Sequence, residues 1–259
     1  MLGALRSLAL LPGQCEVCRA FGEGLICAAC RAQHARLRAR CARCGLALGA
    51  AAPACGACLR EPPPYERTVC ALEYGFPWDR LISAFKFHRR VELAGALAAL
   101  LAEAIERDDA ARGAQAEAAP PAPPRLVVPV PLSPARLAER GFNQAWELAR
   151  RVARLRGLPA EARALQRVLD APAQATLAGR AERLRNLRHA FAPAASSGTG
   201  ARAGARNVAG HDVALVDDVM TTGATAREAA AALLRAGARS VHLWVLARTP
   251  APANAAAPA

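Results

Sequence analysis

Val213-Ala-Leu-Val-Asp217-Asp218-Val-Met-Thr221-Thr222-Gly223-Ala224-Thr225 is the stretch that decides the fold. An apolar run of strand length ends in two acids, passes through a small hydroxyl-rich loop, and continues into a helix-forming segment at 226–236 that stops at Gly237. A second apolar run follows, Ser240-Val-His-Leu-Trp-Val-Leu246. A strand, loop, helix, strand unit with both strands buried predicts that the two strands are parallel. The loop has its own chemistry. Backbone N–H groups at a helix start, a glycine permitting close approach, and three threonine hydroxyls suit a phosphate dianion. Adjacent carboxylates one sugar-length away can accept hydrogen bonds from two ribose hydroxyls. Together they describe a site for a ribose 5-phosphate, whereas a purely structural reading makes Thr221 a helix cap. The stretch has neither the Gly-Lys-Ser/Thr end of a Walker loop nor a GxGxxG turn.

Outward from this unit, the chain has 259 residues, beyond the roughly 150 of one average domain, so two unequal domains are expected. The composition is 53% hydrophobic but only 4% aromatic, and much of that fraction is alanine, which buries little area, so a modest core filled by Leu and Val is expected. No window approaches the 18 or more consecutive apolar residues of a membrane span, and the first residues carry neither a cleavage site nor a lipidation box. A cytoplasmic, soluble protein is the expectation. Stretches rich in Ala, Pro, Gly and Ser at 110–124, 192–210 and 250–259 read as loops or a tail. The net charge is +13, of which +10 falls within residues 123–211 and +5 within residues 1–70, pointing to phosphorylated or nucleic-acid partners.

Eight of the nine cysteines form four CxxC pairs, Cys15/Cys18, Cys27/Cys30, Cys41/Cys44 and Cys55/Cys58, separated by eight, ten and ten residues. Two residues between thiolates let both sulfurs turn onto one ion, and two such knuckles complete the four-sulfur shell that zinc prefers, so two zinc ions are expected. Consecutive and interleaved pairing of the knuckles both satisfy the spacing. A disulfide framework would need an oxidising compartment, and iron–sulfur spacings differ. With few large apolar residues in this segment, metal would supply its folding free energy. The ninth, Cys70, sits in an apolar run and reads as a buried small hydrophobe. Arg31, Arg36, Arg38, Arg40 and Arg43 between and beside the inner knuckles offer a face for phosphates, single-stranded DNA included, or simply a solvated surface.

The acid-threonine stretch resembles the phosphoribosyl pyrophosphate (PRPP) motif of the type I phosphoribosyltransferases. With the cysteine-rich start, the whole chain is similar to the ComF/GntX family, associated with competence and DNA transformation. That resemblance implies an α/β phosphoribosyltransferase fold with a mainly parallel sheet at 65–250, preceded by a double zinc ribbon at 1–64 and followed by a tail at 251–259. It implies that Asp217 and Asp218 hold the ribose hydroxyls, and that Thr221, Thr222, Gly223, Ala224 and Thr225 hold the 5-phosphate. Mg²⁺ would accompany PRPP, and structural Zn²⁺ would occupy the ribbons. Two more blocks resemble the family: Leu81-Ile-Ser-Ala-Phe85-Lys86-Phe87-His88-Arg89, which holds the only lysine of the chain, and the block from Val128 to Gln144 with Arg136 and Arg140 in a loop after a core strand. Lys86, Arg136 and Arg140 are thereby candidates for the pyrophosphate, since guanidinium forks suit its oxygens. Surface-helix placement accounts better for Arg150, Arg151 and Arg154. A further block, Gln174-Ala-Thr-Leu177 with Arg180, Arg183 and Asn186, resembles a segment that folds over substrate, but Asp170 departs from an expected threonine. The resemblance implies phosphoribosyl transfer from PRPP to a nitrogen acceptor. The rival is a non-catalytic protein that uses PRPP or another ribose 5-phosphate as ligand while binding single-stranded DNA among competence proteins.

Overall fold

The computed structural model describes residues 13–50, 52–115, 122–168, 190–193 and 208–251. The segment from Asp170 to Asn186 and the tail from residue 252 lie outside the described residues. In chain order the elements are β1 (Gly13–Gln14), β2 (Phe21–Gly22), α1 (Ala28–His34), α2 (Gly56–Arg60), β3 (Arg67–Glu73), α3 (Trp78–Phe87), α4 (Leu93–Gln115) and β4 (Leu126–Pro129). They continue as α5 (Pro134–Arg140), α6 (Gln144–Leu155), β5 (Leu165–Arg167), β6 (Phe191–Pro193), β7 (Asp212–Met220), α7 (Ala224–Arg235) and β8 (Ser240–Arg248).

Four strands make one parallel sheet in the order β3-β8-β7-β4, with β7 and β8 in register at Val213↔Val241 through Met220↔Arg248. The apolar run of β7 serves both faces. Val213 and Leu215 join a core with α7, while Ala214 and Val216 join a second core with α4 and α6. A strand buried on both sides needs a continuous apolar sequence rather than an alternating one. On α4, Leu93, Leu97, Leu101 and Ile105 recur every fourth residue and are all at most 1% exposed. They form one stripe against the sheet, and each contributes about 1.5–3 kcal/mol by leaving water.

Three local expectations change. The 110–124 stretch is not all loop, because α4 runs on through residues 110–115. The strand does not stop before the acids: β7 runs on to Met220, because β8 extends to Arg248 and keeps pairing with it. Arg136 and Arg140 stand on a helix rather than in a loop. Ser133 caps α5, its hydroxyl accepting from Arg136 N at 3.4 Å, Pro134 occupies the first turn, and Gly141 ends the helix in the left-handed conformation.

The cysteine-rich segment is built into this body. Cys15, Ile26 and Cys30 belong to the same apolar core as α3 and α4. The following turn covers the sheet edge: Thr68 N of β3 donates to Ala42 O at 2.8 Å, and the Thr68 hydroxyl donates to Arg43 O at 2.5 Å. Gly45, at φ +67, passes so close that a Cβ there would lie 3.0 Å from Thr68 Cγ2. An otherwise open strand edge is thereby covered.

Candidate functional site

The acid pair sits at the carboxyl end of β7, the edge where open parallel sheets present ligands. Asp218 is buried and Asp217 half-buried. Each carboxylate is fixed by a local amide: Asp217 Oδ1 accepts from Asp218 N at 2.9 Å, and Asp218 Oδ1 from Val219 N at 2.7 Å. Lys86, at the end of α3 and 132 positions earlier in the chain, brings Nζ to 3.0 Å from Asp218 Oδ1. Burial, reinforced by the charge of Asp218 and opposed by that of Lys86, pushes the Asp217 carboxyl up to about 7.

The 221–225 loop turns directly after Met220. Thr221 and Thr222 are exposed, and Gly223 forms the N-cap of α7 at φ +79, a conformation glycine adopts without the strain a Cβ would bring. No side chain of Gly223 exists to cap the helix, and the neighbouring Thr222 Oγ1 is 3.4 Å from Ala224 N. Beyond that one long bond from Ala224 N, no side-chain cap serves the start of α7 among the described residues, which is the condition for an anion to dock there.

Lys86 and Arg140 are brought together through Gln144, the first residue of α6 and 1% exposed. Its Nε2 donates to Lys86 O at 3.5 Å, and its Oε1 accepts from Arg140 Nη1 at 3.0 Å. The Arg140 guanidinium lies 5.0 Å from the Phe87 ring centre, and its buried Nε has no hydrogen-bond partner among the described residues. Asn143 holds this corner: Oδ1 caps α6 by accepting from Ala145 N and Trp146 N, while Nδ2 donates to Val130 O just past β4. Arg136 is exposed on α5, with no ionic partner for its guanidinium among the described residues. Arg150 and Arg151 both pair with Glu147, and Arg156 with Asp109, so these three members of the basic segment serve helix surfaces.

Sequence reasoning missed Arg248. This residue ends β8, is 8% exposed, and reaches the carbonyls of Met220, Thr221 and Thr249 as well as that of Cys44. A charged residue closing an apolar strand was the available signal, but its partners lie up to 204 positions away.

The cysteines gather consecutively, not interleaved. Cys15, Cys18, Cys27 and Cys30 form one cluster, and Cys41, Cys44, Cys55 and Cys58 the other, with the sulfurs of each within 4.8 Å of one another. The Cys18–Cys27 and Cys44–Cys55 sulfurs are 3.7 Å apart. A disulfide needs about 2.05 Å, whereas tetrahedral thiolates around zinc stand about 3.8 Å apart for Zn–S bonds of about 2.3 Å. Amides of Cys27 and Cys55 point at Cys15 and Cys41 sulfur at 3.4 and 3.2 Å. Burial works to raise the Cys15 thiol, but the amides of Cys27, Cys18 and Val17 outweigh it and bring it down to about 6. Donor set and spacing suit a zinc ion in each cluster. Cys70 stands on β3, its thiol pushed up by burial and donating to Leu72 O at 3.2 Å, as befits an unreactive side chain.

A family profile for the phosphoribosyl transferase domain matches residues 161–256. The chain is 36% identical over 242 residues to the DNA utilization protein YhgH of Salmonella typhi, covering 92% of this chain and 98% of that protein. It is 32% identical over 238 residues to Competence protein F of Haemophilus influenzae, covering 91% and 96% respectively. Among solved structures, the glutamine PRPP amidotransferase from B. subtilis complexed with ADP and GMP matches 60% of this chain and 26% of that one at 20% identity, with a TM-score of 0.34.

Proposed function

The chain belongs to the ComF/GntX family, and from that membership and the geometry above we propose that it binds PRPP and transfers its phosphoribosyl group in the handling of incoming DNA. In this reading Asp217 and Asp218 accept hydrogen bonds from the ribose hydroxyls, and the amides and hydroxyls of residues 221–225 take the 5-phosphate. Lys86, Arg136 and Arg140 face the pyrophosphate, whose Mg²⁺ arrives with the substrate. Departure of pyrophosphate leaves an oxocarbenium-like carbon for a nitrogen nucleophile, so the protein's work is positioning and charge stabilisation. The two cysteine clusters, each holding Zn²⁺, would supply folding energy to residues 1–64 beside the catalytic domain at 65–250. The cytoplasm, where thiols stay reduced, suits such ligands.

The observation that carries the reading is the Lys86–Asp218 pair beside the glycine-started helix α7. A helix 132 positions earlier in the chain meets the β7–α7 unit there, and among the described residues the buried Arg140 Nε is left with a donor to offer. Zinc-loaded protein with Mg²⁺ and PRPP should release pyrophosphate with some acceptor base, and Asp217→Ala with Asp218→Ala should abolish the release. No release with any of the nucleobases would sink the transferase reading.

A second reading, binding of single-stranded DNA alongside competence proteins, has its own support. A cavity of about 330 Å³ shares no residue with the acid-pair site and is lined by Arg36, Arg38, Arg40, Arg67 and Arg107, with Asp108 as its acid. Asp108 answers Arg67 and Glu73 answers Arg38, while among the described residues Arg36 and Arg40 meet the carbonyls of Gln33 and Gly45 and no carboxylate. Two guanidinium groups without acids suit a phosphodiester backbone. Among the described residues no helix is long and apolar enough to cross a membrane.

A further inference from the structure

We propose that Arg248 is a positioning residue that couples the second cysteine cluster to the phosphate loop, so that metal at Cys41, Cys44, Cys55 and Cys58 and anion at residues 221–225 reinforce each other. The ligand half of this proposal rests on the phosphate reading of the loop given above.

Arg248 is buried, and no carboxylate pairs with it among the described residues. Among the described residues its guanidinium is held by carbonyl oxygens. Nη1 donates to Met220 O at 3.2 Å, to Thr249 O at 2.8 Å and to Thr221 O, and Nε donates to Cys44 O at 3.1 Å. A buried cation satisfied without a counter-ion keeps its field available to an anion nearby. The peptide geometry aims that field. In a planar trans peptide the carbonyl of one residue and the amide of the next point in opposite directions. Drawing the Met220 and Thr221 carbonyls onto Arg248 therefore turns the Thr221 and Thr222 amides away from it, on the side where those two threonines are exposed. The Met220 carbonyl is also held by Thr249 N at 3.1 Å, so Arg248 shares that orientation with the strand ladder, while it turns the Thr221 carbonyl and adds positive charge behind the amides.

The other end of the clamp is a metal knuckle. Cys44 supplies a sulfur to the second cluster and its carbonyl to Arg248, so the position of the knuckle and the position of the loop are tied through one guanidinium. Two further contacts brace the same pair of elements. Arg227 of α7 donates to Glu61 O at 3.1 Å, just past α2. The hydroxyl of buried Tyr65 lies 3.7 Å from where a Cβ on Gly223 would stand, while its carbonyl accepts from Arg43 Nη1 at 3.2 Å. Loss of metal releases the Cys41–Cys44 turn, frees one arm of Arg248, and loosens the loop. By linkage, an anion that orders the loop retains the metal to the same degree.

The test uses the full-length, zinc-loaded protein and its Arg248→Gln and Arg248→Lys variants. Amide hydrogen exchange is followed in the 219–226 segment, zinc release from the second cluster is followed with a chelator in excess, and ribose 5-phosphate serves as the ligand probe. Arg248→Gln should accelerate exchange in the loop and zinc release, and weaken ribose 5-phosphate by about tenfold, the worth of a lost hydrogen-bonding charge. Arg248→Lys, with charge but no fork, should recover part of the affinity without the exchange protection. Saturating ribose 5-phosphate should slow zinc release in the parent protein but not in Arg248→Gln, a linkage that a merely structural role would not abolish. Parent-like loop exchange and zinc release in Arg248→Gln overturn the proposal. If the parent binds no ribose 5-phosphate, the phosphate reading falls, and exchange and zinc release still decide the clamp. If Arg248→Gln does not fold, Cys55→Ser is compared with the parent: faster loop exchange upholds the coupling, and unchanged exchange refutes it.

Discussion

Replacing Lys86 by Met should destabilise the protein in a way that grows with pH. The Nζ–Oδ1 distance to Asp218 is 3.0 Å, with the two side chains only 16% and 11% exposed. At that separation the attraction is about 5 kcal/mol for an effective dielectric constant of about 20, against about 1.4 kcal/mol in water. Removing one member of such a pair leaves a charge stranded and typically costs about 3–5 kcal/mol. The ammonium also holds Asp217 down, and that carboxyl already stands at about 7 because of burial and Asp218. A raised carboxyl stabilises the fold while protonated, and that stability is lost as pH rises from its ordinary range through about 7. Without Lys86 the proton is held to higher pH, so the native variant binds more protons than the native parent and its stability falls faster with pH. One extra bound proton is about 1.36 kcal/mol per pH unit, so the loss should be larger at pH 8.5 than at pH 7 by up to about 2 kcal/mol. Urea unfolding of both proteins at the two pH values measures this, with zinc content confirmed equal. A loss below about 1 kcal/mol, or one equal at both pH values, would refute the idea that Lys86 and the acid pair form one buried charge system.

Gly223→Ala should cost about 1 kcal/mol, because the added Cβ meets Met220 Sδ at 3.6 Å and the Tyr65 hydroxyl at 3.7 Å in ordinary contact, leaving only the φ of +79 to penalise; thermal unfolding without ligand checks it. Stripping zinc with a chelator should unfold the cysteine-rich segment and lower the melting temperature of the rest, since Cys15, Ile26 and Cys30 share the core of α3 and α4; retention of the full parent melting temperature would show that the clusters do not support that core. Binding of single-stranded DNA should fall steeply with salt, and Arg36→Ala with Arg40→Ala should flatten the log-log slope by about 1.4, two contacts at about 0.7 each. An unchanged slope would remove that cavity as a phosphate track.

Much of the parallel sheet was written in the residues. Val213 to Val216 is apolar at every position and Val241 to Leu246 at all but His242, which a strand covered on both faces requires, and Gly237 marks where the intervening helix must stop. The four CxxC pairs likewise declared metal knuckles by spacing alone. Their partnership was not legible, because eight or ten intervening residues are long enough to reach either neighbour; the packing of Cys15 and Cys30 onto the α4 core and of the Cys41–Gly45 turn onto β3 settled it as consecutive.

The same division runs through the site. Local sequence determined the acid pair, the hydroxyl-rich turn and the glycine at its end, since each acts through its own backbone and nearest neighbours. It also marked Lys86 and Arg140 as candidates, but not that Gln144 would join them or that Lys86 would meet Asp218. Contacts between elements 58 or more positions apart depend on how helices lie across the sheet, and no short-range pattern encodes that. Arg248 is the sharpest case: in the chain it is one of 33 arginines, and only the meeting of a strand end, a metal knuckle and a turn gives its guanidinium four carbonyls to hold.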